Sequence, residues 1–194
     1  MKNLYATIIL LCLATFALAQ EKADDVKLDI EDGQNYLVLS TKRIQTMEKE
    51  LDEAAAKGFR VLYGAPTQQY DMAMLMERGK EAGTYSYKVM ATIRIKTMEK
   101  ELNEFAKQGY RLLPRTIVFK QGFLTAEMVM LMERAPKSEK SYEYKLVFAG
   151  KETKLHKKMD EVIEQGFKPV TMITIGAHVV VMEKESDNSA AKAN

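Results

Sequence analysis

Apolar and polar positions alternate with period 2 at the start of three segments of this chain. In the clearest, Tyr142, Tyr144, Leu146 and Phe148 fall on one side of an extended strand, and Glu143, Lys145 and Val147 on the other. Successive strand side chains point to opposite faces, so this alternation predicts a β-strand. A helical period follows. Ile95, Met98, Leu102, Phe105 and Ala106 make one apolar stripe, with Lys96, Glu99, Lys100, Asn103 and Lys107 facing away. Gly58, Gly109 and Gly166 each follow such a stripe and precede an aromatic residue. A glycine just past a helix takes a left-handed conformation without Cβ strain, and the next apolar residue packs back on the last turn. Two more strands complete the unit; in the third segment they are Val170 to Ile175 and His178 to Met182, joined by Gly176-Ala177.

The unit is β-α-β-β and it occurs three times. Tyr36 to Leu62 aligns with Tyr87 to Leu113 with 16 of 27 positions identical, and a third copy runs from Tyr142 to Glu183. The copies end alike, at Met76-Glu77-Arg78, Met132-Glu133-Arg134 and Met182-Glu183-Lys184. The expected organisation is a repeat at 35–83, a second at 84–137 and a third at 138–185. A body of about fifty residues is marginal alone, because so small a body leaves too much surface exposed. The last strands show how three could share a core. Met128, Met130 and Met132 occupy one face while Val129 and Leu131 occupy the other, so both faces should be buried. The fold class expected is α+β: three small antiparallel or mixed sheets packed together, with helices on the outside. The hairpin loops vary, from Gly64 to Tyr70 in copy one to a longer one around Lys120-Gln121-Gly122 in copy two.

The ends differ from the repeats. Met1-Lys2-Asn3, an apolar run from Ile8 to Leu18 and Ala17-Leu18-Ala19 have the three-part layout of a signal peptide over residues 1–19. Export to the periplasm or the extracellular space is the expectation, with no membrane span after processing. Residues 20–34 read as an acidic, mobile leader that adds nothing to the core, and 186–194 as a disordered tail. Cys12 lies in the cleaved segment, so the mature chain has neither a thiol nor a disulfide. The 29 Lys and Arg exceed the 27 Asp and Glu by two, and loss of Lys2 removes one of these. So balanced a charge gives no global attraction for nucleic acid.

Ser141-Tyr142-Glu143-Tyr144-Lys145-Leu146-Val147 resembles the opening strand of the small bacterial domains grouped as domain-of-unknown-function family 4177. Those domains read Tyr-Glu-Tyr-Lys-Val, a Leu-rich helix, Gly-Trp-Glu-Leu-Val and a strand ending Phe-Lys-Arg. The helix exits here are Gly58-Phe59-Arg60-Val61-Leu62, Gly109-Tyr110-Arg111-Leu112-Leu113 and Gly166-Phe167-Lys168-Pro169-Val170. They lack the tryptophan and put Arg or Lys where the family has an acid. The resemblance spans roughly residues 35–185. It implies a β-α-β-β unit and a bacterial source, and carries no activity.

No catalytic residue is expected. His156 and His178 are the only histidines, no serine sits in a Gly-x-Ser-x-Gly turn, and no phosphate loop or zinc spacing occurs. Glu48, Glu50, Asp52 and Glu53, with counterparts Glu99, Glu101 and Glu104, interleave with lysine and read as a solvated helix face. Residues 84–137 carry ten basic residues against five acids, so Arg94, Lys96, Arg111, Arg115 and Lys120 form a candidate anion patch. Met72, Met74, Met76, Met128, Met130 and Met132 line up in two strand runs. Soft thioethers suit Cu(I), but methionine is also a pliable core filler, and copy three has Val179-Val180-Val181 in their place. The function expected is a secreted, non-enzymatic binding or structural module with no cofactor. Its partner would be a protein, peptide or cell-envelope ligand. The alternative is a periplasmic soft-metal protein using the methionine runs.

Overall fold

The computed structural model describes residues 28–67, 72–79, 84–121, 126–175 and 177–187. Residues 1–27, which hold the expected signal peptide and most of the expected leader, 68–71, 80–83, 122–125, Gly176 and the tail from 188 lie outside them. Three β-α-β-β units follow one another. Unit 1 has β1 (Tyr36–Thr41), α1 (Ile44–Ala56), β2 (Phe59–Pro66) and β3 (Met72–Arg78). Unit 2 has β4 (Ser86–Thr92), α2 (Ile95–Ala106), β5 (Arg111–Leu112), β6 (Val118–Gln121) and β7 (Ala126–Arg134). Unit 3 has β8 (Lys140–Ala149), α3 (Glu152–Ile163), β9 (Lys168–Ile175) and β10 (Ala177–Asp187). Every sheet is antiparallel with the unit's last strand in the middle: β1-β3-β2, β4-β7-β5 with β6 also on β7, and β8-β10-β9.

The helix exits take the conformation their glycines permit. Gly58, Gly109 and Gly166 have φ of 88°, 86° and 89°. Gly109 N–H donates to the Ala106 carbonyl at 3.0 Å, and Tyr110 N–H reaches back to Phe105 at 3.2 Å, closing the last turn. The second strand of each unit then carries an irregularity that begins within five residues of the glycine. In β2 the register shifts between Val61 and Tyr63. In unit 2 the expected single strand is cut into β5 and β6 by a 3₁₀ turn at Pro114–Thr116. Pro114 has no N–H for the ladder, and the Thr116 hydroxyl donates to the Leu113 carbonyl at 2.7 Å instead.

Each unit uses its neighbour to complete its core. The first cluster joins Leu39, Met47, Leu51, Phe59, Met72, Met74 and Met76 of unit 1 to Tyr87, Val89, Val129 and Leu131 of unit 2. A second joins Met98, Leu102, Met128, Met130 and Met132 of unit 2 to Tyr144, Leu146, Val179 and Val181 of unit 3. β7 is therefore buried on both faces, as its two-sided apolar pattern demands, with the methionines on one side and Val129 and Leu131 on the other. The helices lie in the joints as well as on the outside: α1 packs on β4 of unit 2 and α2 on β8 of unit 3, besides their own sheets.

Two boundary expectations are corrected. The leader contributes to the core from Leu28, because Leu28 and Ile30 pack against the first cluster. Their backbone is tied to α1, with Leu28 N–H donating to Glu53 at 3.1 Å and Lys57 Nζ donating to the Leu28 carbonyl at 3.0 Å. The tail begins later than 186, because β10 pairs with the long β8 as far as Asp187, opposite Lys140.

Two stability predictions follow from this packing. Met130 is fully buried; its change to Ala should cost about 2–5 kcal/mol through a cavity, and to Leu less than about 1.5 kcal/mol. Gly64 lies against unit 2, where an added Cβ would come within 2.9 Å of the Thr116 backbone. Backbone cannot rotate aside, so Gly64→Ala should lower the midpoint of chemical denaturation; an unchanged midpoint would contradict this close approach.

Candidate functional site

The joint between two units is built from the same residues twice. Tyr87 is the second residue of β4, and its hydroxyl accepts from the Val61 N–H of unit 1 at 3.1 Å and donates to Glu133 Oε2 at 3.1 Å. Glu133 also takes the Arg60 guanidinium of unit 1 through Nε and Nη2, the latter at 2.8 Å. At the second joint the Tyr144 hydroxyl accepts from Leu112 N–H at 2.9 Å and donates to Glu183 Oε2 at 2.8 Å. Arg111 binds Glu183 with the same two nitrogens. Each guanidinium also stacks on a tyrosine, Arg60 on Tyr85 at 4.5 Å and Arg111 on Tyr142 at 5.1 Å from the ring centroid.

The register explains this selectivity. Arg60 lies directly across the sheet from Glu77, and Arg111 from Glu133. Each arginine passes over the acid of its own unit and binds that of the next. The receiving carboxylates are enclosed, with Glu133 and Glu183 side chains at 5% and 7% exposure. A buried carboxylate needs its charge matched and its lone pairs satisfied, and a two-pronged guanidinium plus a phenol does both. Hydrogen bonding to Glu133 holds the Arg60 guanidinium above its ordinary pKa. Burial first, and then the adjacent Glu133, pushes the Tyr87 phenol well above its ordinary value; burial and Glu183 do the same to Tyr144.

The helix acids have a second use at the joints. The outer edge of β4 faces α1, where Asp52 Oδ1 accepts from Tyr87 N–H and Glu48 Oε2 from Val89 N–H, both at 3.1 Å. Lys88 Nζ adds an ion pair to Glu48. On β8, Asn103 Oδ1 accepts from Tyr144 N–H at 2.9 Å and Glu99 Oε2 from Leu146 N–H at 2.6 Å. The expectation of a solvated face is corrected for Glu48, Asp52 and Glu99. One flank of α1 and one of α2 lie against the next unit's strand edge, whose outward N–H groups need acceptors. Glu50 is also drawn in; its Oε2 is buried without a hydrogen-bond partner, and burial, then Glu53, raises its pKa.

The sequence candidates distribute as follows. Met72, Met74, Met76, Met130 and Met132 are fully buried and Met128 nearly so. They fill the cores of units 1 and 2 and offer no accessible thioether rim. Of the anion patch, Arg94 precedes α2 and Lys96 sits in its first turn. Arg111 is committed to Glu183, and Lys120 lies on β6 opposite Glu127. Arg115 contacts Tyr63 of unit 1, its Nη1 donating to the hydroxyl at 3.3 Å. His178 Nδ1 lies 3.0 Å from the Thr174 hydroxyl, and its Nε2 3.7 Å from Glu152. Among the described residues, no group of three or more His, Cys, Asp or Glu is placed to hold a metal, and no helix is long and apolar enough to cross a membrane.

The described residues also form concavities. A cleft of about 900 Å³ opens where the three units meet, lined by Arg60, Leu62, Glu77 and Tyr85, by Leu113, Pro114 and Arg115, and by Val170 and Thr171. A groove of about 480 Å³ lies between α3 and its sheet, among Leu155, His156, Met159, Met172 and Val180. Comparison of the chain with family models, with curated proteins and with solved structures returns no match.

The joint tyrosines give a pH prediction. In the unfolded chain a phenol loses its proton near pH 10, whereas Tyr87 and Tyr144 keep theirs to higher pH in the fold. The native state then binds more protons, so this stability is complete below about pH 10 and is lost as pH rises further, by up to about 1.4 kcal/mol per pH unit for each phenol. Urea denaturation of wild type and Tyr144→Phe between pH 9 and 11 should show the shallower decline in the variant; equal slopes would contradict the assignment.

Proposed function

We propose that the chain is a non-enzymatic binding module, exported by its N-terminal segment, whose ligand seat is the cleft at the meeting of the three units. The cleft itself carries this reading. It encloses about 900 Å³, and all three units contribute to its wall. The domain-of-unknown-function family 4177 resemblance supports the same unit design and adds no chemistry.

The lining selects a ligand class. Leu62, Leu113, Pro114 and Val170 form an apolar wall, and Tyr85 adds an aromatic. Arg60 has its charge matched by Glu133. Arg115 is bound only to a neutral phenol among its described partners, so its charge stays available to an incoming anion. A ligand with an apolar or aromatic body and one anionic head satisfies both features. The buried methionine runs speak against the soft-metal alternative, because a ligand set must be reachable.

Anilinonaphthalene sulfonate is a suitable probe, having an aromatic body and one anionic group. Its fluorescence should saturate at one dye per chain. Arg115→Glu should weaken binding at least tenfold, and Leu62→Trp should block the cleft. Binding undiminished in both variants, with melting unchanged, would remove the cleft as the seat.

A further inference from the structure

Unit 1 carries the receiving half of a joint, and no unit among the described residues covers it. Tyr36 and Glu77 stand where Tyr87 and Glu133 stand in unit 2, and Tyr144 and Glu183 in unit 3, paired across the sheet in the same register. The Tyr36 hydroxyl donates to Glu77 Oε1 at 3.2 Å, as the buried tyrosines do to their acids. The difference is cover. Tyr36 is 56% and Val38 64% exposed, against 0% for Tyr87 and 7% for Val89. Ala73 and Leu75, at the positions of Val129 and Leu131, are also half-open.

A second copy of this chain does not supply the missing half well. Unit 3 would have to present it, and three of its polar groups are altered. His156 replaces the acceptor Glu48 or Glu99, Lys168 replaces the guanidinium of Arg60 or Arg111, and Pro169 replaces Val61 or Leu112. Proline has no N–H to give a tyrosine hydroxyl, and lysine cannot grip a carboxylate with two prongs. The groove beside α3 is the open counterpart of the inter-unit cores, lined by Leu155, Met159 and Val180. Terminal repeats of a stacked array commonly carry such changes, because an unaltered end would add further copies.

We infer that the exposed face of unit 1 docks a partner protein that presents an arginine followed by an aliphatic residue with an unpaired backbone N–H, and that unit 3 is capped against self-association. The arginine binds Glu77 by two nitrogens, the N–H donates to the Tyr36 hydroxyl, and the partner's apolar surface covers Val38, Ala73 and Leu75. Both internal joints make this exchange. Gln34 stands where Tyr85 and Tyr142 provide stacking, so the docked arginine is held by the carboxylate without a tyrosine platform.

The face can be tested with the chain as its own probe. His156, Lys168 and Pro169 are all exposed, so His156→Glu/Lys168→Arg/Pro169→Val restores the donor half with little risk to folding. Sedimentation velocity should show wild type as a monomer and the triple variant as head-to-tail oligomers that grow with concentration. Adding Glu77→Gln should return it to monomer. Retaining Lys168 in an otherwise identical variant should weaken association at least tenfold, which reads the demand for arginine. Should the proline replacement prevent folding, His156→Glu/Lys168→Arg serves, with oligomers expected at higher concentration. A folded, monomeric variant, or association indifferent to Glu77, would overturn the inference. Wild-type oligomers that dissociate on Glu77→Gln would assign the face to a second copy and overturn the cap. Mass is the readout, so failure of dye binding in the cleft, whose wall Glu77 also lines, leaves this test standing.

Discussion

Each sheet of this protein has two apolar faces, and its own helix covers only one of them. A face left in water gives up the hydrophobic free energy of its Val, Leu and Tyr side chains, about 1.5–3 kcal/mol for each large one fully buried. The neighbouring unit therefore becomes part of the fold. Tyr87, Val89, Val129 and Leu131 belong to unit 2 in sequence and to the core of unit 1 in space. Units that are marginal alone share their cores through this arrangement.

The polar chemistry of the joints follows from the same arrangement. Stacking a sheet on the preceding unit buries the acid near the end of its central strand and leaves one edge of its first strand without a sheet partner. Glu133 and Glu183 are answered by Arg60 and Arg111 across the joint and by tyrosine hydroxyls from within the receiving unit. The strand edges are answered by Glu48, Asp52, Glu99 and Asn103 from the preceding helix. These bonds add direction to an otherwise non-directional burial. A slipped joint would leave a carboxylate enclosed without its cation, which costs several kcal/mol. The ends of the array then differ in kind: unit 1 keeps the receiving pair, and unit 3 has lost the donor set.

Much of this was legible residue by residue. The recurring glycine after each helix, a Tyr in each first strand, the Arg or Lys two positions after the glycine and the Glu after the last methionine are all visible as repeats. What escaped is that Arg, Tyr and Glu from two different copies meet. Repetition shows that a position matters to the unit and does not say whether its partner lies in the same copy or the next. For the same reason, helix acids that cap a neighbour's strand look like an ordinary solvated stripe, because the strand edge they serve lies some forty residues away. The cleft was also beyond reach, since its wall draws on separate segments of all three units, from Gly58 to Thr171.

The sequence by itself determined the α+β class, the three β-α-β-β units, the positive-φ glycines and the double-sided burial of β7. All of these depend on periodicity and backbone sterics within one unit, which act over a few residues. Only the tertiary structure decided which unit each arginine serves, that Leu28 and Ile30 join the core, and which faces at the two ends remain uncovered. Those outcomes depend on how one twisted sheet lies over another. That geometry is set by the packing of complete surfaces, and no local pattern along the chain encodes it.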